Sequence, residues 1–384
     1  MDRPYHHIGD VRMSFDRRSV LRAGLGLTGA GLLGTTPFGR RALAADAAPP
    51  ADLIAAAKRE GHLNVITLPR DWANYGELMD TFAARYGIKI DDANPDGTSA
   101  EELQAIRSLR HQSRAPDAVD VGPSFAITGA QQKLFQPYKV ATWSTIPDAL
   151  KDPSGLWYGD YFGVTSFAVN KGVVKNVPRT WGDLLKPEYK GMVAIGGSPL
   201  KAGEAFGSVY AAALANGGSF DDIKPGIEFF GKLNDLGNFN PVKCDTGTVI
   251  TGQTPIAIKW DYLNLAIRDG AKGKADIEVL LPEGAPPYGN FYCQAISAFA
   301  PNPNAAKLWM EYLYSDEGQI GFLKGYAHPI RFNALAADGK IPADLMAKLP
   351  SPAAYKEVKF ATQAQTDAAK AVLADMWPKV VKLG

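Results

Sequence analysis

Trp260-Asp261-Tyr262 closes the apolar run Pro255 to Lys259 as an aromatic–acid–aromatic triplet. A carboxylate at the end of such a run can pair with an ammonium group, while a neighbouring ring stacks on methylenes or holds a cation on its face. The same three residues also read as a helix cap set in core aromatics. Trp72 and Tyr75, just past an earlier apolar run, offer matching chemistry. Tyr288 and Tyr292 frame a Gly-Asn turn, where ordinary packing competes. Anion chemistry has its own candidates in Ser99, Gly197 and Ser198, at Gly- and Ser-bearing helix starts with Arg70 as a possible charge. Simple capping explains those residues too.

Bond-making chemistry finds little support. Beyond residue 45 the only histidines are His62, His111 and His328, and none lies in a zinc-protease pattern, a nucleophile elbow or a Cys–His setting. A phosphate-cradling Gly-x-x-x-x-Gly-Lys-Ser/Thr is absent, and no cofactor is implied. Cys244 and Cys293 are the only cysteines, and either one disulfide or two buried thiols fits them.

The elements that must position these side chains alternate strand and helix. Ala51 to Glu60 reads as a helix stopped by Gly61, and Leu63 to Leu68 as a strand. A helix carrying Leu78, Met79 and Phe82 ends at Gly87, and Ile88 to Ile90 is the next strand. This βαβ spacing predicts an α/β fold with a parallel sheet, whose ligands sit at the carboxyl ends of strands. Ser99 with Glu102 reads as a capping box for a helix toward Gln112. Ala118 to Val121, Phe162 to Asn170, Met192 to Ile195, Ile277 to Leu281 and Tyr292 to Ala300 read as further strands. The tail from Tyr355 is expected to be helical and packed on the outside.

Of the net charge of +1 over 384 residues, the first 45 residues carry +4, from seven Arg and three Asp, so the remainder carries −3. That balance argues against a nucleic-acid partner. Asp16-Arg17-Arg18, a weakly apolar run from Ala23 to Phe38 and Ala42-Leu43-Ala44 form an export signal over residues 1–45, with the paired arginines of the twin-arginine type. Either Met1 or Met13 could start it. The mature protein is expected in the periplasm.

Five separated stretches resemble periplasmic solute-binding proteins that serve ABC importers. They are Ala51-Asp-Leu-Ile-Ala-Ala-Ala-Lys-Arg-Glu-Gly61, Asp117-Ala-Val-Asp-Val-Gly122, Val177-Pro-Arg-Thr-Trp-Gly-Asp-Leu-Leu-Lys-Pro-Glu-Tyr-Lys-Gly191, the Asn302-Pro303 turn with Ser315-Asp-Glu-Gly-Gln319, and Gly325 to Arg331. The resemblance implies a two-lobed α/β fold of type II-like organisation with the ligand in a cleft between lobes. It divides the chain into residues 46–164 (lobe 1), 165–290 (lobe 2) and 291–384 (a return to lobe 1 plus C-terminal helices). Asp120 and Asp160 then fall near the cleft edges. The family's ligands include polyamines, ferric ion, thiamine and phosphonates. Iron binders usually present adjacent tyrosines, which this chain lacks. Carboxylates with aromatic walls favour an amine-bearing, polyamine-like ligand, with a small anion or ferric ion as alternatives and a sensor or enzyme on the same fold as more distant ones. The implied partners are that ligand and an inner-membrane permease, with the protein a monomer that does no chemistry.

Overall fold

The computed structural model describes residues 48–349 and 358–381. The predicted export signal lies outside the described residues. The chain begins with α1 (Ala51–Glu60), β1 (His62–Ile66), α2 (Tyr75–Tyr86), β2 (Lys89–Ala93), α3 (Ser99–Ser108), β3 (Ala118–Val121), α4 (Pro123–Gln131) and β4 (Phe135–Gln136). A long strand, β5 (Tyr158–Asn170), leads to β6 (Val193–Ile195), α5 (Gly203–Ala215), α6 (Lys224–Asp235), α7 (Thr246–Thr251), β7 (Ile256–Trp260), α8 (Asp261–Gly270) and β8 (Ile277–Leu280). Then come β9 (Gly289–Ser297), α9 (Pro303–Leu313), α10 (Asp316–Lys324), β10 (His328–Pro329), α11 (Phe332–Ala337), α12 (Ala343–Lys348) and α13 (Gln363–Val380).

The predicted βαβ unit is present: β1 and β2 pair in parallel, from His62 opposite Lys89 to Ile66 opposite Ala93. The larger sheet departs from the all-parallel expectation. Its order is β3-β9-β5-β7-β6, and of these only β6 and β7 are parallel. The long strands carry the reason. β9 runs back beside both β3 and β5, so the return crossing reverses direction within the sheet.

β5 is the hub. All thirteen of its residues are buried, as expected of a strand covered on both faces. Its first half pairs with β9 as far as Val164–Gly289, and its second half pairs with β7 from Thr165–Trp260 onward and with β8. The strand therefore belongs to both lobes, and it changes neighbours between Val164 and Thr165. Phe167 meets Trp181 edge-on at 5.1 Å, which seats the Thr180-Trp181 turn on the second lobe. In the first lobe Phe82, Trp309 and Tyr312 pack where α2 and α9 meet.

Cys244 and Cys293 are both free, buried thiols. Among the described residues no helix is long and apolar enough to cross a membrane.

Candidate functional site

Between the lobes lies a cleft of about 1190 Å³ whose walls come from both halves of the chain and from α13. Its first-lobe wall carries Trp72, Ser99, Glu102 and Asp120; its second-lobe wall carries Glu204 and Lys259.

An irregularity in β5 builds the floor. The β5–β9 register shifts between Gly159 and Phe162, so Asp160 and Tyr161 occupy a bulge. A bulge re-aims side chains that regular pleating would alternate, and here both residues meet the polar groups of α2 and β3. Tyr75 Oη stands 2.9 Å from Asp120 Oδ2 and 3.1 Å from Asp160 Oδ2. Gln294 on β9 donates to Asp160 Oδ2 at 3.0 Å, and Tyr161 Oη donates to Asp120 Oδ2 at 3.0 Å. Trp72 Nε1 in turn donates to Tyr161 Oη at 2.7 Å. The indole at the cleft wall is thus wired to a buried carboxylate through one hydroxyl.

Tyr75 has one proton to give and two carboxylates beside it. Burial pushes Asp160 up to about 7 from an ordinary 3.8. Burial also raises Asp120 well above the usual range, and the Asp160 charge adds to it. Like charges this close favour holding a proton between them unless a cation enters. Glu102 adds a third acid. Its Oε2 accepts the Asp120 N–H at 3.0 Å, and burial followed by the Asp120 charge raises its pKa well above normal.

Two oxygens remain. Asp120 Oδ1 and Glu102 Oε1 are buried without a hydrogen-bond partner among the described residues, and both residues line the cleft. Orphaned buried acceptors are costly, and each of these is open to a hydrogen bond from an ammonium or other donor group. Aromatic rings flank them: Trp72 meets Tyr262 and Tyr292 edge-on at 5.8 and 5.7 Å, and Tyr292 stacks on Tyr161 at 5.6 Å.

On the opposite wall, Lys259 Nζ lies 2.9 Å from Glu204 Oε1 and 3.1 Å from Oε2, and both side chains are buried. Gly196 makes room for this pair, since a Cβ there would come within 2.5 Å of the Glu204 carboxylate. The wall is therefore charged yet internally neutral at that point.

Of the residues singled out in the sequence, Trp72, Ser99 and Asp120 stand on the cleft wall. Tyr75 and Asp160 lie one layer behind it, bonded to Asp120 or to each other. Trp260, Asp261 and Tyr288 require correction. All three are buried away from the wall, because β7 runs into α8 inside the core. Asp261 Oδ1 accepts the Val164 N–H at 2.9 Å, and Trp260 and Tyr288 stack on each other at 6.0 Å. Gly197 and Ser198 also stand off the cleft: the Gly197 N–H turns back to Ile195 O, and Ser198 O caps Lys201 and Ala202. The capping box of α3 belongs to Thr98 and Glu101, one residue before the predicted pair, and this leaves Glu102 to face inward. The sequence presents Glu102 as a capping side chain and carries no ligand signal for Glu204, Lys259 or Gln294. A buried-strand run holding both Lys259 and Trp260 was the available signal for the ion pair.

A two-lobed α/β molecule with a cleft at the strand crossing defines a binding protein of the periplasmic type. The chain belongs to the family of bacterial extracellular solute-binding proteins, matched over residues 117–358. It is similar to iron uptake protein A1 of Synechocystis sp., with 24% identity over 274 residues, covering 68% of this chain and 74% of that protein. Among solved structures it resembles AfuA from Actinobacillus pleuropneumoniae with fructose-6-phosphate bound (TM-score 0.63, 18% identity, 84% of this chain and 99% of that one). It also resembles AgtB from A. tumefaciens R10 in complex with agropinic acid (TM-score 0.65, 17% identity, 84% and 99%). At these identities the structural likeness establishes the fold.

Proposed function

We propose that the protein captures a small amine-bearing solute in the periplasm and delivers it unaltered to the permease of an ABC importer. The observation that carries this reading is the pair of buried, unpartnered oxygens, Asp120 Oδ1 and Glu102 Oε1, on a wall bounded by Trp72 and Tyr292. Carboxyl groups desolvated to this degree hold an ammonium strongly once they give up their protons, and the rings cover its methylenes. The family match supports the transport role. In this reading residues 1–45 are an export signal of the twin-arginine type, and a monomer closes the lobe of residues 46–164 upon that of residues 165–290, on which α13 is seated.

Ferric ion is the second reading. Tyr161 and Tyr292, far apart in sequence, stack at 5.6 Å, and one relative is an iron uptake protein. Against it, burial raises both phenols, which disfavours the phenolate that iron needs, and no group of three His, Cys, Asp or Glu among the described residues is placed to hold a metal.

A thermal-shift panel on the mature protein tests the choice, using polyamines, aminophosphonates, thiamine, ferric citrate and simple organic acids. A ligand at about a hundredfold over its dissociation constant adds about 2.7 kcal/mol. Stabilisation by amines supports the reading. Stabilisation by ferric citrate alone overturns it.

A further inference from the structure

Helix α13 is a cleft wall as well as a tail. It is seated on the second lobe: Trp377 packs against Phe230 and Phe239 at 5.5 and 6.4 Å, Tyr210 Oη donates to Gln365 O at 3.0 Å, and Gln365 Nε2 donates to Asp221 at 3.1 Å. From there it also packs on α4 of the first lobe, where Lys370 adds a polar contact. Lys370 Nζ donates to Ser124 Oγ at 2.5 Å, at the start of α4. The same ammonium lies 4.7 Å from the ring of Phe125 in the first lobe and 5.8 Å from that of Phe206 in the second. Lys370, Ser124, Phe125 and Phe206 all line the cleft.

The charge of Lys370 is poorly matched. Of the cleft's other lysines, Lys151 pairs with Asp148 and Lys259 with Glu204, while Lys201 and Lys243 are exposed to solvent. Lys370 is half-buried, yet no carboxylate of the described residues lies within ion-pair distance of it; its contacts are one neutral hydroxyl and two ring faces. Burial accordingly pulls its pKa below the ordinary lysine value. An ammonium has three protons to donate, so two remain after Ser124. Asp367, three residues back on the same helix, acts on Lys370 only from beyond ion-pair distance, and a half-buried cation facing a ligand cavity with no directly paired carboxylate is a site for an anionic group.

We infer that Lys370 is a specificity-determining residue which binds an acidic group of the ligand, so that the solute is a zwitterion spanning from Asp120 and Glu102 to the C-terminal helix. The assignment of the ammonium end rests on the proposed function; the assignment of the acid end rests on Lys370 alone. Carboxylate and phosphonate termini share the required chemistry.

The test is calorimetry of the mature protein with putrescine, γ-aminobutyrate, aminopropylphosphonate and butyrate. The wild type is expected to bind at least one of the two zwitterions about tenfold more tightly than putrescine. Lys370→Met should abolish that preference by weakening the zwitterion and leaving the diamine unchanged, and Lys370→Arg should retain it. Thermal melts of both variants verify that α13 stays folded. Equal loss for every ligand on Lys370→Met would make the residue a latch between lobes and overturn the inference. So would a wild type that prefers the diamine or binds neither zwitterion. Failure of the amine reading looks different: butyrate binds, depends on Lys370 and is indifferent to Asp120→Asn.

Discussion

Asp261 Oδ1 accepts the N–H of Val164 at 2.9 Å, at the point where β5 leaves β9 and joins β7. A strand that changes partners leaves a backbone donor at the junction without a ladder acceptor, and the carboxylate at the start of α8 supplies one. Gly163, next to it, leaves room for the second lobe, since a Cβ there would lie 2.5 Å from the ring of Tyr262. The crossing is therefore pinned by a side chain the sequence presented as a ligand contact.

Asp261→Ala should consequently act on stability. Orphaning a buried N–H costs about 1–3 kcal/mol, visible as a lower midpoint in denaturant. Ligand affinity of the folded variant is expected to stay near wild type. A large loss of affinity with unchanged stability would return Asp261 to the site.

Asp120→Asn should weaken an amine ligand by about 2–5 kcal/mol, the range for truncating one partner of a desolvated charge pair. Calorimetry reads this directly, and an unchanged dissociation constant would remove Asp120 from the site.

Amine binding should tighten as pH rises between about 5 and 8. The cation favours ionised carboxylates, and burial holds Asp160 up to about 7, with Asp120 and Glu102 also raised. Binding therefore releases protons, and calorimetry in buffers of different ionisation enthalpy measures them. For the unliganded protein the sign reverses. A carboxyl whose folded pKa is raised is ionised only in the unfolded chain over that window, so stability falls from about pH 4 toward 7 and levels above it. Asp160→Asn should flatten that fall.

Lys259→Met should be costly, about 3–5 kcal/mol, because it leaves the Glu204 carboxylate buried and alone. The double variant Lys259→Met, Glu204→Gln should recover much of that loss in urea denaturation. Additive losses would show that the pair does not act as a unit.

Ligand should draw the lobes together. Small-angle scattering is expected to show a smaller radius of gyration with saturating ligand, and identical radii would count against a closing cleft.

Much of the architecture was legible because it rests on local signals. The β1–α2–β2 unit follows from apolar periodicity ended by Gly87, and α9 from Pro303 with Ala306, Leu308 and Trp309 on a buried face. The site was legible only where a residue's role depends on its own strand. Asp120 sits on β3 and lines the cleft. Asp160 turns inward because β5 bulges against β9, a two-partner event no single strand records. Asp261 reads equally as a ligand contact and as a helix cap among core aromatics, and nothing near it in sequence decides between the two. Lys370, one charge in an ordinary amphipathic helix, gains its meaning from α4 and α5 across the cleft.

β9 closes the first lobe's sheet by lying between β3 and β5 and taking β4 at its end. Those strands are made long before it, and the whole second lobe is threaded between β5 and β9. A ribosome must therefore deliver residue 297 before the first lobe can complete its hydrogen bonding. Until then the first half of β5 has an unfinished edge, while its second half already has β7 and β8 beside it, so completion of the first lobe is a late event dominated by distant pairings. For a protein of this order, assembly before export and assembly after it are different problems. A chain truncated ahead of β9 is expected to leave the first lobe unable to stand alone.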